Sequence, residues 1–130
     1  MHLKSGVSPR ILVVDDELVI RELMERVLRA LGCDLTVAST LESGLCALRR
    51  FTPDLLITDL HLPDGSGVDI ARAFKAIAPR APVVVITGFL APDDYLAQAT
   101  DLNIFSCLHK PFELEMLQQV VARALESATL

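Results

Sequence analysis

Four short stretches of this chain place reactive side chains where an apolar run stops. ILVV is followed by Asp15, Asp16 and Glu17; LLIT is followed by Asp59; VVVI is followed by Thr87 and Gly88; IFSCLH is followed by Lys110 and Pro111. A carboxylate at the end of a greasy run is costly to bury and calls for a reason. Taken singly, each stretch has an ordinary reading. Acids suit a helix start, Asp59 suits a turn, Thr87 suits an N-cap, and a lysine usually sits in solvent. Brought around one cleft, the acids, the hydroxyl and the ammonium form a set suited to phosphoryl transfer. Crowded carboxylates repel and raise one another's pKa. A hard divalent cation resolves that conflict, and Mg²⁺ fits because it takes one or two carboxylates together with waters and phosphate oxygens.

Other chemistry finds little support. The three cysteines, Cys33, Cys46 and Cys107, have no metal-type spacing and read as small hydrophobes kept reduced. His2, His61 and His109 lie far apart, so a histidine metal site is not expected. A net charge of −5 with scattered basic residues argues against a nucleic-acid surface. No apolar run reaches the roughly 18 residues of a membrane span, and MHLKSGVSPR lacks the apolar stretch of a signal peptide. A cytoplasmic protein without a membrane or nucleic-acid partner is the expectation.

The elements that must position the four stretches follow from periodicity. Strands are expected at 11–14, 34–38, 55–57, 83–86 and 104–108, the first an unbroken apolar run of the kind buried on both faces. Helical spacing links Ile20, Leu23, Met24, Val27, Leu28 and Leu31, with Gly32 as a C-cap. It links Leu41, Leu45 and Leu48, then Ile70, Ala71, Phe74 and Ile77, and finally Leu114, Leu117, Val120, Val121 and Leu125. A weaker fourth helix is expected over about 91–102. Five β-α units in alternation imply an α/β fold with a parallel sheet and helices on both faces. In such open sheets ligands bind beyond the carboxyl ends of the strands, which is where the four stretches lie. At 130 residues one domain is expected, with a short tail over 1–9, the domain over 10–127 and an end over 128–130.

VVDDE, TDLHLPDGSG, VITG and KPF, in this order and each at a strand end, resemble the receiver domain of two-component response regulators over about residues 9–127. The resemblance implies a flavodoxin-like (βα)5 doubly wound sheet in the order 2-1-3-4-5. It implies that Asp59 is the phosphoacceptor, attacking the phosphoryl group on a kinase histidine to become an acyl phosphate. Asp15 and Asp16 match the acidic pair that holds Mg²⁺ with Asp59, Asp16 being the expected direct ligand, and the main-chain carbonyl of His61 matches a further ligand. Thr87 and Lys110 match the phosphate-sensing hydroxyl and ammonium, and the bond to Pro111 is expected to be cis. The implied partners are a sensor histidine kinase or a histidine phosphotransfer protein, and a downstream protein. The latter would dock on the surface of the fourth helix, fifth strand and fifth helix, around residues 91–127. A monomer or a phosphorylation-dependent dimer is implied. The resemblance implies a phosphoacceptor that assists its own phosphotransfer and dephosphorylation rather than an enzyme acting on a separate substrate.

The chain departs from the family pattern in several places. Cys107 stands where an aromatic is common, three residues before Lys110, and Phe105 on the same strand face is a candidate replacement in the switch. Asn103 stands where a glycine is common, and Asn is the next-best residue for a left-handed turn. His61 and Phe89, two residues after Asp59 and Thr87, are candidates for tuning phosphate hydrolysis. A haloacid-dehalogenase-type phosphatase would want a second Asp at position 61, and a dinucleotide binder would need G-x-G-x-x-G, which is absent. A flavodoxin-like electron carrier would need a hydroxyl- and Gly-rich phosphate loop where DDELV stands. The alternatives kept are a receiver-like binding module that works without phosphate, and the N-terminal receiver of a longer DNA-binding regulator; a stand-alone receiver is the expectation.

Overall fold

The computed structural model of the protein describes residues 8–88 and 100–128. Five strands form one parallel sheet: β1 Arg10–Val14, β2 Asp34–Ala38, β3 Leu55–Asp59, β4 Val83–Thr87 and β5 Ser106–His109. Their spatial order is β2-β1-β3-β4-β5, the doubly wound order expected from the sequence. The helices α1 (Leu18–Ala30), α2 (Leu41–Arg50) and α3 (Gly67–Ile77) and a C-terminal helix (Leu114–Ala128) surround it.

Alternate residues of each central strand serve opposite faces. On one face Ile11, Val13, Leu55, Ile57, Val84 and Ile86 pack against Met24 and Leu28 of α1 and Leu117 and Val121 of the C-terminal helix. On the other, Leu12, Val14, Leu56, Val83 and Val85 pack against Ala47 of α2 and Ile70 and Phe74 of α3. With both faces covered, the strands read as continuous apolar runs rather than as alternation. Each fully buried Leu, Ile or Phe contributes roughly 1.5–3 kcal/mol relative to exposure.

Local chemistry sets the ends. Gly32 takes φ +89 just after α1 and stops it. Thr40 and Ser43 form a reciprocal capping box on α2, and Ser66 accepts from Val68 N at 3.0 Å to open α3. Asn103 takes φ 53, so the asparagine does adopt the left-handed turn expected of it. It follows a single 3-10 turn, Thr100–Leu102. The rest of the helix expected over 91–102, and Phe89, lie outside the described residues. The fifth strand spans Ser106–His109 rather than starting at Ile104; it follows the left-handed turn at Asn103, and Phe105 N already donates to Val83 O at 2.9 Å. One element was not anticipated: a two-residue antiparallel ladder pairs His61 with Ser66 and Leu62 with Gly65, across the Pro-Asp turn.

Strand register aligns the reactive residues. Val14 sits beside Thr58, which levels Asp15 with Asp59. Asp59 sits beside Ile86, one residue before Thr87. Thr87 sits beside His109, one residue before Lys110. All four stretches therefore reach the carboxyl end of the sheet.

Candidate functional site

The carboxylate of Asp59, at the carboxyl end of the central strand, is almost fully buried and held from two sides. Its Oδ2 accepts from Lys110 Nζ at 2.8 Å. Its Oδ1 accepts from the His61 amide at 3.0 Å. Asp15 is completely buried beside it. Asp15 Oδ1 accepts from Glu17 N at 2.8 Å, and Arg21 Nη1 donates to the Asp15 carbonyl at 2.8 Å, fixing its backbone from α1. Asp15 Oδ2 lies 3.1 Å from Lys110 Nζ in an ion pair without hydrogen-bond geometry, and no hydrogen bond satisfies this oxygen. Glu17 also accepts from Lys110 Nζ. Three carboxylates thus share one ammonium. Lys110 is itself anchored by donating from its backbone N–H to Thr87 O at 2.8 Å, and the Lys110–Pro111 bond is cis.

The electrostatics follow from this crowding. Burial pushes the Asp15 carboxyl above its ordinary value; the Glu17 amide and Lys110 pull it back, and the charge on Asp59 adds to the rise. Burial would lower the Lys110 pKa, but its hydrogen bonds to Asp59 and Glu17 and its ion pair with Asp15 outweigh that, and the net shift is upward. Ligand oxygens of Asp15, Glu17 and Asp59 all lie within 4.8 Å of one another. Together with the buried, unbonded Asp15 Oδ2, this donor set fits a hard, oxygen-seeking cation.

The turn after Asp59 holds the site in place. Gly67 packs so closely that a Cβ there would lie 2.1 Å from the Asp59 carbonyl oxygen. Gly67 N also donates to Leu60 O at 2.9 Å, and Leu60 N to Ile86 O at 3.0 Å. Gly88 is different: a Cβ there would meet only the Lys110 stem, at 3.8 Å, so the glycine keeps that flank open without preventing a clash.

Sequence reasoning brought Asp59, Asp15 and Lys110 to one point, and the structure puts them there, with Thr87 fully buried on the next strand. Asp16, expected as the direct ligand, is exposed and outside the group of converging carboxylates, in which Glu17 stands beside Asp15 and Asp59. Glu17 sits at the N-cap of α1 but makes no side-chain cap bond, its carboxylate having gone to Lys110. His61 contributes its amide. Cys107 is half-buried beside Val85 and packs on the core, whereas Phe105, just before β5, is 39% exposed and belongs to neither core face.

Comparison with known proteins decides the family. The model of the response regulator receiver domain matches residues 11–122. The chain belongs to this family. As a receiver domain it is of the kind found in two-component response regulators. It is 39% identical over 114 residues to the response regulator protein PilR of Pseudomonas aeruginosa, covering 88% of this chain and 25% of that protein. The chain spans between 25% and 49% of the length of the first curated relatives it matches. A CheY-like receiver domain from Methanospirillum hungatei superposes with a TM-score of 0.88 at 21% identity, covering 95% of this chain and 98% of that one, a likeness of fold. The receiver domain of a Pseudomonas aeruginosa sensor histidine kinase, solved with magnesium coordinated in its active-site cleft, superposes with a TM-score of 0.79 at 24% identity, covering 92% and 99%.

Among the described residues no helix is long and apolar enough to cross a membrane.

Proposed function

We propose that this receiver takes a phosphoryl group on Asp59 from a phosphohistidine of a sensor kinase or phosphotransfer protein, in a Mg²⁺-dependent reaction. With the donor ring protonated on its other nitrogen, its P–N bond breaks as a P–O bond to an Asp59 carboxylate oxygen forms; the nitrogen keeps the bonding pair, leaving the histidine neutral and the aspartate an acyl phosphate. The observation that carries this reading is the double hold on Asp59, by Lys110 Nζ at 2.8 Å and the His61 amide at 3.0 Å, within a group of three acids that one ammonium serves.

Asp15 and Asp59 would hold the cation, with one acid of the Asp16–Glu17 pair and the main-chain carbonyl of His61. The bound ion would neutralise charge on the transferring phosphoryl oxygens. The magnesium in the cleft of the Pseudomonas receiver of the same fold supports this choice. Thr87 and Lys110 then sense the phosphate, a new group with added charge and acceptor oxygens at the carboxyl end of the sheet. Their neighbours in the switch are Cys107 and the outward-facing Phe105. His61 and Phe89 tune the lifetime of the acyl phosphate. The output surface lies on the fourth helix, fifth strand and fifth helix, and it controls a downstream protein rather than nucleic acid. The functional unit is 10–127, flanked by 1–9 and 128–130, it works in the cytoplasm, and it is a monomer or a phosphorylation-dependent dimer. Its relatives are longer, so an N-terminal receiver of a DNA-binding regulator stays within this reading.

The test is intact mass after incubation with acetyl phosphate and Mg²⁺. One phosphoryl adduct is expected, absent in Asp59→Asn and in EDTA. Loss of the adduct in Asp16→Asn with retention in Glu17→Gln assigns the third ligand to Asp16; the reverse assigns it to Glu17. An adduct that survives Asp59→Asn refutes the reading. Failure of both acetyl phosphate and a panel of histidine kinases would favour a binding module that works without phosphate.

A further inference from the structure

The turn that follows Asp59 is tied to α2 by contacts that phosphate chemistry does not require. The Asp64 carboxylate accepts from Leu41 N through Oδ1 at 2.8 Å and from Glu42 N through Oδ2 at 2.9 Å. These are first-turn amides of α2, which have no acceptor within the helix. The helix's own capping box leaves those two amides unmet, since Thr40 Oγ1 accepts from Ser43 N and Ser43 Oγ from Thr40 N, each at 3.0 Å, so their acceptor comes from across the fold, from the turn after β3. The neighbouring Gly65 adds a second tie. A Cβ there would lie 2.5 Å from Leu41 Cδ2, so the leucine side chain packs directly on this backbone.

The anchored turn leads straight back to the phosphoacceptor. Asp64 and Gly65 lie at the tip of the ladder that pairs Leu62 with Gly65 and His61 with Ser66. The His61 amide, at the base of that ladder, donates to Asp59 Oδ1. That bond uses one carboxylate oxygen and leaves the other turned to Lys110. The two amide donors also hold the Asp64 carboxyl below its ordinary pKa, so the clasp is charged throughout the neutral range.

We infer that Asp64 is a positioning residue for phosphoryl transfer: it clamps the turn after β3 to the start of α2, so that the His61 amide orients the Asp59 carboxylate. The inference rests on the phosphoacceptor reading above. Asp64 touches neither Asp59 nor Lys110 and acts through His61.

The experiment compares the parent, Asp64→Ala, Asp64→Asn and Thr40→Ala, all in the full chain. Three quantities are read: the initial rate of phosphorylation by acetyl phosphate with Mg²⁺, the exchange rate of the His61 amide in the unphosphorylated protein by NMR, and the melting temperature. Thr40→Ala removes a cap from the same helix end without touching the clamp. Asp64→Ala is expected to slow phosphorylation at least about 5-fold, since a misplacement of 1 Å can cost ~100-fold. It should also speed His61 exchange at least about 10-fold by local opening. Asp64→Asn, which keeps one strong acceptor, should fall between. Thr40→Ala should lower the melting temperature to a similar degree and leave both rates within about 2-fold of the parent. Equal slowing in Asp64→Ala and Thr40→Ala would overturn the inference, as would unchanged His61 exchange in Asp64→Ala. If the parent takes up no phosphate from acetyl phosphate or from a panel of histidine kinases, the phosphoacceptor reading falls, and the exchange rates still decide whether Asp64 holds the His61 amide in place.

Discussion

Replacing Gly67 by alanine should injure the protein more than any other single methyl added at a glycine of this fold. The added Cβ would lie 2.1 Å from the Asp59 carbonyl oxygen, 3.0 Å from its carbonyl carbon and 3.1 Å from Leu60 Cα. All three neighbours are backbone at the end of the central strand, so no rotamer change relieves the contact. Either α3 or the end of β3 must shift by about 1 Å to restore van der Waals distance. Overpacking of a well-ordered core typically costs about 1–3 kcal/mol, and rigid neighbours put this site at or above the top of that range. For 130 residues the unfolding entropy is about 0.27 kcal/mol/K, so 3 kcal/mol lowers the melting temperature by about 11 °C.

Two other glycines calibrate the figure. At Gly44 the nearest atom to an added Cβ is Ile70 Cδ1 at 2.8 Å, the movable end of a side chain, so Gly44→Ala should cost about 1–2 kcal/mol. At Gly32 nothing lies within 4 Å, and the cost is the left-handed φ of +89 alone, about 1–2 kcal/mol. Thermal melts should therefore rank Gly67→Ala as the least stable. Because the displaced backbone carries Asp59, phosphorylation of Gly67→Ala, measured where it is fully folded, should also fall while Gly32→Ala matches the parent. A Gly67→Ala protein that melts within about 4 °C of the parent and phosphorylates normally would refute the reasoning.

Two predictions concern titration. Burial raises the folded-state pKa of Asp15 above its ordinary 3.8, so the folded chain holds this proton more tightly than the unfolded one. Stability then falls as pH rises from about 3.8 through the raised folded value and stays reduced above it. In metal-free buffer near neutral pH, Asp15→Asn should melt higher than the parent, show a flatter acid limb and lose the gain in melting temperature that Mg²⁺ gives; a lower melting temperature would contradict this. Burial also pushes the Cys33 thiol up to about 11 from 9.0, so the unfolded thiol ionises first and stability declines across that interval, by at most about 3 kcal/mol. Cys33→Ala should lose this alkaline slope, and in the parent iodoacetamide should modify the exposed Cys46 before the buried Cys33.

What was legible in the sequence was what local pattern encodes. Unbroken runs such as VVVI announce strands covered on both faces, and the spacing of Met24, Val27 and Leu28 announces the buried side of α1. Residue type at a strand end announced Asp59 and Lys110, because a buried charge has few reasons to exist. The features that escaped all depend on which side chain reaches across the fold. Glu17 and Lys110 are separated by 93 residues, and nothing in DDE says that Glu17, rather than Asp16, meets the lysine. That choice is made by geometry: Asp15 Oδ1 takes the Glu17 amide, the chain enters α1 at Leu18, and the side chain two residues beyond Asp15 then falls on the Lys110 side. Asp64 was equally hidden. Pro-Asp-Gly reads as a surface turn, and its two amide partners lie 22 and 23 residues back. Only the strand order places α2 beside that turn. Apolar pattern thus specifies which faces meet, but polar contacts between elements depend on register and crossover, which single-residue spacing does not carry. In this receiver those contacts, Glu17 on Lys110 and Asp64 on α2, bear directly on how the Asp59 carboxylate is held.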